Sequence, residues 1–123
     1  MKKLLLIDDN LTLLNFLARD LSIYYDVISF SESKLAIEFI QSNAKELNII
    51  VSDYKMPLYN GIEVLKAAKE AAPHSIRLLL TGYIDAVDEK DQKGIYNLII
   101  DKNVIKDARE LVRNIEELPK GLK

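Results

Sequence analysis

Five short apolar runs alternate with helix-like segments along this chain, and that alternation leaves few folds open to it. The runs span residues 3–7, 26–30, 47–52, 76–80 and 96–101. Their apolar residues follow one another instead of alternating with polar ones, as in strands buried on both faces of a parallel sheet. Parallel neighbours need a long crossover, usually a helix, and the intervening segments carry helical periodicity. Leu14, Leu17, Ala18 and Leu21 fall at i, i+3, i+4 and i+7, and so do Ala108, Leu111, Val112 and Ile115. Each set forms one apolar stripe, the mark of a helix that lies on a sheet. Ile37, Ile40 and Ala44 make a similar stripe in the second helix, with Ser33 as its expected cap. Leu65, Ala68 and Ala72 do so in the third, which Pro73 stops. The fourth segment, YIDAVDEKDQKG, offers only Ile84, Ala86 and Val87 as clear apolar residues, so a short or irregular helix is expected there. The expected class is α/β: a doubly wound five-stranded parallel sheet with five helices on its two faces, joined by right-handed crossovers.

A chain of 123 residues has the length of one domain and can bury roughly two thirds of the surface its unfolded form exposes. Residues 1–123 are read as that domain, with 118–123 as a tail or the start of a linker, because Pro119 and Gly121 end the last helix. The absence of cysteine removes disulfides and thiolate metal sites from consideration. The amino-terminal KKLLLI is too short for the core of a signal peptide, and no stretch approaches the roughly eighteen apolar residues of a membrane span. The expected location is the cytoplasm. Seventeen basic and nineteen acidic residues, spread along the length, give a net charge of −2. That balance gives no electrostatic reason to expect nucleic acid or an anionic membrane as partner, so the expected partner is a protein.

Four of the five runs end, on their carboxyl side, in residues suited to a metal ion or a phosphoryl group. KKLLLI precedes Asp8 and Asp9, LNIIVS precedes Asp53, IRLLL precedes Thr81, and NLIID precedes Lys102. Ligands of open parallel sheets bind outside the carboxyl ends of the strands, so one pocket would collect three carboxylates, a hydroxyl and an ammonium. Carboxylates brought that close repel unless they are protonated or share a cation, and magnesium, with its all-oxygen shell and retained waters, suits such a set. Taken singly, each residue has a plainer reading. Asp8 and Asp9 suit a helix amino terminus, Asp53 a turn before the Pro57 to Gly61 loop, Thr81 with Gly82 a strand-ending turn, and Lys102 a solvated strand end. Together they resist that reading. A hydroxyl at Thr81 can donate to a phosphoryl oxygen, Gly82 lets that oxygen approach the backbone, and Lys102 can neutralise it as a compact charge. His74, the only histidine, follows Pro73 in an expected surface turn and is assigned no chemistry.

These motifs resemble the receiver domain of two-component response regulators, CheY-like proteins, along essentially the whole chain. LLLIDDN at 4–10, VSDYKMPLYNGIEVL at 51–65, LLLTGY at 78–83 and Lys102 carry the resemblance, and the second, with Met56, Pro57 and Gly61 after Asp53, is the most specific. The resemblance implies a flavodoxin-like strand order 2-1-3-4-5. It also implies Asp53 as phosphoacceptor, Asp8, Asp9, Asp53 and the Lys55 carbonyl as Mg2+ ligands, and Thr81 and Lys102 as phosphoryl contacts. A sensor histidine kinase or phosphotransfer protein would supply the phosphoryl group, and the face made by the fourth helix, fifth strand and fifth helix would pass the signal to an output domain or partner. The chain would be a monomer or a phosphorylation-dependent dimer. It would be no enzyme beyond its own phosphorylation and dephosphorylation.

Three departures from the family fall in one quarter of the sequence. The family follows its lysine with a proline in a cis peptide, whereas Asn103 follows Lys102, which predicts another shape for that loop. Asp101 directly precedes Lys102 and is read as either its ion-pair partner or, after a one-residue slip, its replacement. Ile99 stands where the family often has a switching aromatic, with Tyr96 nearby in the other face register. Other readings of the fold are a pseudo-receiver that binds partners without phosphorylation, an aspartate-nucleophile phosphatase and a flavin carrier. Position 10 is Asn where such phosphatases carry a second acid, and the acidic DDNLTLL is unsuited to the phosphate of a flavin.

Overall fold

Leu4, Leu5, Leu6 and Ile7 are all buried, and the strand they form, β1 (Lys3–Ile7), runs through the middle of the molecule. In the computed structural model, which describes residues 1–87 and 94–118, the elements that follow are α1 (Leu11–Leu21), β2 (Asp26–Phe30), α2 (Ser33–Asn43), β3 (Ile49–Asp53), α3 (Gly61–Ala71), β4 (Ile76–Thr81), β5 (Leu98–Asp101) and α4 (Ala108–Glu116). Five strands lie in the order β2-β1-β3-β4-β5, and every pair is parallel. The chain is thus an α/β protein with the flavodoxin-like order that the family resemblance implies.

Successive strand residues point to opposite faces and so feed two cores. Leu4, Leu6, Ile49, Val51, Leu78, Leu80 and Ile100 pack under Leu14, Leu17 and Leu21 of α1 and Leu111 and Ile115 of α4. Leu5, Ile7, Ile50 and Leu79 pack under Ala36 and Ile40 of α2 and Ile62, Leu65 and Ala68 of α3. Each fully buried leucine contributes about 2 kcal/mol of apolar transfer. β3 and β4 are buried at every position, whereas the edge strand β2 is half-exposed. Two strands start later than expected. Asn48 and Asn97 each lie just outside a ladder, and the Asn97 side chain accepts from the Arg77 amide at 2.7 Å.

Ser33 does not cap α2. Glu32 holds the cap position without a side-chain bond, and Ser33, buried inside the first turn, donates its hydroxyl to the Pro57 carbonyl at 2.9 Å and accepts from the Tyr59 amide at 3.2 Å. The loop after β3 offers both groups, and their pull outweighs a local capping bond. The expected fourth helix begins as a 3-10 turn at Ile84–Ala86; residues 88–93, the rest of that segment, lie outside the described residues, as do 119–123 of the expected tail. At the opposite edge of the sheet from the strand carboxyl ends, the buried Arg77 donates to the carbonyls of Ile95 (2.9 Å), Ser75 (3.0 Å) and Gly94 (3.1 Å). Those bonds hold the approach to β5, and burial lowers the guanidinium pKa. His74 meets the Leu47 carbonyl through Nε2 at 3.0 Å, a structural contact. No helix among the described residues is long and apolar enough to cross a membrane.

Candidate functional site

β1 and β3 pair with Ile7 opposite Ser52, so the next residues, Asp8 and Asp53, leave the sheet side by side. One oxygen from each of Asp8, Asp9 and Asp53 lies within 4.8 Å of the others. Asp8 and Asp53 are buried, while Asp9 is exposed at the rim. Lys102, the first residue past β5, reaches into this cluster: its ammonium donates to Asp8 Oδ2 at 2.7 Å and lies 3.0 Å from Asp53 Oδ1. Thr81 ends β4, fully buried, and stands opposite Asp101 across the β4–β5 pair. The sheet therefore brings all five expected side chains to one edge. Lys55 lies in the loop after β3 with its ammonium 4.2 Å above the Tyr83 ring, which links the loops on the two sides of the site.

Local bonds fix the two buried carboxylates. The Asn10 amide donates to Asp8 Oδ1 at 2.9 Å, while the Asn10 side chain caps α1 through the Leu13 amide at 3.1 Å. The Tyr54 amide donates to Asp53 Oδ1 at 2.8 Å. With Lys102 also on Oδ1, Asp53 Oδ2 accepts no hydrogen bond from the described residues. Thr81 Oγ1 accepts from the Tyr83 amide at 2.9 Å, which leaves its own proton available to another acceptor.

The amino end of α3 locks Asp53 from below. Asn60 and Glu63 form a reciprocal capping box, with the Glu63 amide on the Asn60 side chain at 2.9 Å and the Asn60 amide on the Glu63 carboxylate at 3.0 Å. Gly61 follows, and its amide donates to the Tyr54 carbonyl at 2.7 Å. A Cβ there would come 2.1 Å from the Asp53 carbonyl oxygen and 2.8 Å from Leu79. Only glycine lets the helix start this close to the strand end. Between them, Leu58 adopts φ 73°, and the Tyr59 amide closes a three-residue turn onto the Pro57 carbonyl at 2.9 Å, a strained geometry that Ser33 brackets.

Burial, opposed by the Lys102 bond and reinforced by the charge of Asp8, pushes the Asp53 carboxyl up from 3.8 to about 6. Burial alone would lower the Lys102 ammonium, but its bonds to Asp8 and Asp53 outweigh that and raise it. Three carboxylates and one ammonium leave the cluster two negative charges in excess. Oxygen donors only, at separations compatible with metal–oxygen distances of about 2 Å, fit magnesium better than a softer ion.

Asp101 neither pairs with Lys102 nor replaces it. Its carboxylate accepts from the Asn103 amide at 2.9 Å and opens a 3-10 turn over Lys102–Val104. Every peptide among the described residues is trans, so the loop does have the different shape that Asn103 predicts. The capping box, the Ser33 contact and the Lys55–Tyr83 contact escaped the sequence reading. Asn60 followed by Glu63 carried a signal for the first; the other two join distant loops and carried none.

The receiver domain model of response regulators matches residues 4–116. The hydrogenase transcriptional regulatory protein HoxA of Cupriavidus necator is 28% identical over 99 residues, 78% of this chain and 20% of that protein. The chain thus spans about a fifth of the length of this relative. A response regulator receiver domain from Clostridium thermocellum superposes with a TM-score of 0.83 at 26% identity, covering 96% of this chain and 94% of that one. A CheY-like receiver domain protein from Methanospirillum hungatei does so at 0.82 and 23% identity, covering 95% and 92%.

Proposed function

The chain belongs to the response regulator receiver family, and on that premise we propose that Asp53 accepts a phosphoryl group from a histidine kinase or a phosphotransfer protein and that the acyl phosphate switches an output. The observation that carries this reading is the convergence of Asp8, Asp9, Asp53, Thr81 and Lys102 on one sheet edge.

Asp53 Oδ2 is the nucleophile. It forms a bond to phosphorus as the phosphorus–nitrogen bond of the donor phosphoimidazole breaks, and the neutral imidazole leaves once it has taken a proton. Oδ1, held by the Tyr54 amide and Lys102, sets the direction of attack. Lys102 moves from carboxylate toward phosphoryl oxygen and offsets the charge that develops there. Asp8, Asp9, Asp53 and the Lys55 carbonyl would hold Mg2+, which supplies further charge compensation for the transferred group. Thr81 donates its hydroxyl proton to a phosphoryl oxygen and draws the Thr81–Gly82–Tyr83 turn with it, since Tyr83 is bonded to Thr81. β5, which touches the Ile84–Ala86 turn, and α4 form with the segment after Tyr83 the face that signals. Ile99, half-buried on the α2–α3 side of the sheet, stands there without the aromatic rotamer switch. Water later cleaves the acyl phosphate, so the chain acts on itself and not on an external substrate. We place it in the cytoplasm, within or beside a longer regulator whose output it controls.

Intact-protein mass spectrometry after incubation with a small acyl phosphodonor tests this reading. A magnesium-dependent phosphoryl adduct on the wild type and none on Asp53→Ala is the expected result; no adduct on folded wild type overturns it.

A further inference from the structure

We propose that Asp101 is a positioning residue for Lys102, its carboxylate shaping the turn from which the ammonium reaches the acidic cluster. This rests on the phosphoacceptor reading for its consequence, although not for its geometry. Lysine has a flexible four-carbon stem with much rotamer freedom to lose, so its aim depends on how firmly its backbone is held. Here no proline restrains the following residue, and the Asn103 amide is a donor that needs an acceptor. Asp101 supplies one at 2.9 Å.

The anchor of that carboxylate is itself fixed. Asp101 is the last residue of the β4–β5 ladder, opposite Thr81, and it stands apart from the Asp8, Asp9 and Asp53 cluster. From there the turn closes in both directions: Asp101 Oδ1 takes the amide after Lys102, and the Lys102 carbonyl takes the Ile105 amide at 3.4 Å. The Asn103 carboxamide nitrogen lies 3.9 Å from where a Cβ of Gly82 would stand, so its side chain comes near the loop that follows Thr81. The peptide that follows Lys102 is thereby held at both its N–H and its C=O, and the Lys102 ammonium stands 2.7 Å from Asp8 and 3.0 Å from Asp53. The acceptor atom and not the negative charge does this, so an amide at position 101 serves as well as a carboxylate.

The test compares Asp101→Ala and Asp101→Asn in wild-type and Lys102→Ala backgrounds. Phosphoryl uptake from acetyl phosphate and the NMR signal of the Lys102 ammonium without magnesium are both read. Asp101→Ala should slow uptake about tenfold and broaden the ammonium signal by exchange with water. Asp101→Asn should restore both to within about twofold, and in the Lys102→Ala background neither substitution should change uptake further. The proposal is overturned if Asp101→Ala leaves the ammonium signal unchanged, if Asp101→Asn is as impaired as Asp101→Ala, or if Asp101→Ala slows uptake as much without Lys102. Should wild type take up no phosphoryl group, the phosphoacceptor reading fails alone, and the ammonium signal still decides the role of Asp101.

Discussion

Lys102 bridges two buried carboxylates, and the shorter of its contacts, 2.7 Å, is to Asp8 and not to the neighbouring Asp53 at 3.0 Å. Asp8 is also a residue of the candidate metal cluster. The ammonium and a divalent cation therefore draw on the same carboxylates.

Lys102→Met should make the protein bind magnesium more tightly, by about threefold to tenfold, because the like charge is gone and three carboxylates remain unshared. Without magnesium the same change should destabilise the fold by about 2–3 kcal/mol, since it strips the partner from buried charges. Titration calorimetry and thermal melts with and without magnesium read the two effects, which have opposite signs.

Asp53→Asn should stabilise the metal-free protein at neutral pH. Its folded pKa, about 6 against 3.8, is raised, so the proton bound by Asp53 stabilises the fold fully below about 3.8, and that stabilisation is lost as pH rises through about 6. Above pH 6 the ionised carboxylate is a burden of about 1–2 kcal/mol, reduced from the full shift by partial solvation. Melting temperatures measured from pH 4.5 to 8 should show the variant ahead of wild type at the alkaline end and level with it at the acid end.

Gly61→Ala should cost about 2–3 kcal/mol. The new Cβ meets the Asp53 carbonyl oxygen at 2.1 Å, a backbone atom that cannot turn aside, so α3 or the end of β3 must shift. Urea unfolding measures the loss, and the Asp53 and Tyr54 amide resonances should move with it.

Leu58→Gly should raise stability by about 0.5–1 kcal/mol. An L side chain at φ 73° carries a penalty of about 1–2 kcal/mol that glycine lacks, partly offset by the freedom glycine regains on unfolding. Chemical denaturation is the check, and the exposed Leu58 side chain leaves little packing to lose.

The sheet and the convergence of site residues were legible because burial on both faces writes itself into consecutive residues. Leu78, Leu79 and Leu80 serve two cores in turn, and no local alternative competes with that pattern. Ser33 was misread because its partners, Pro57 and Tyr59, lie 24 and 26 residues away, whereas the local pattern suggests only a cap. Asp101 stayed ambiguous for a related reason. A carboxylate beside a lysine can pair with it or, after a one-residue slip, stand in its place, and the structure shows neither: Asp101 stands opposite Thr81 and takes the Asn103 amide. The segment after Ala86 shows the converse: where apolar periodicity thins out, the sequence predicts little beyond irregularity.

Because β3 and β4 are enclosed at every position, the middle of the sheet behaves as a stiff plate with no room to slide. Chemistry at its carboxyl edge therefore has the loops that carry Thr81 and Lys102 as its way out. On the phosphoacceptor reading, a change of shape at those loops is how this molecule would tell a partner that Asp53 has been modified.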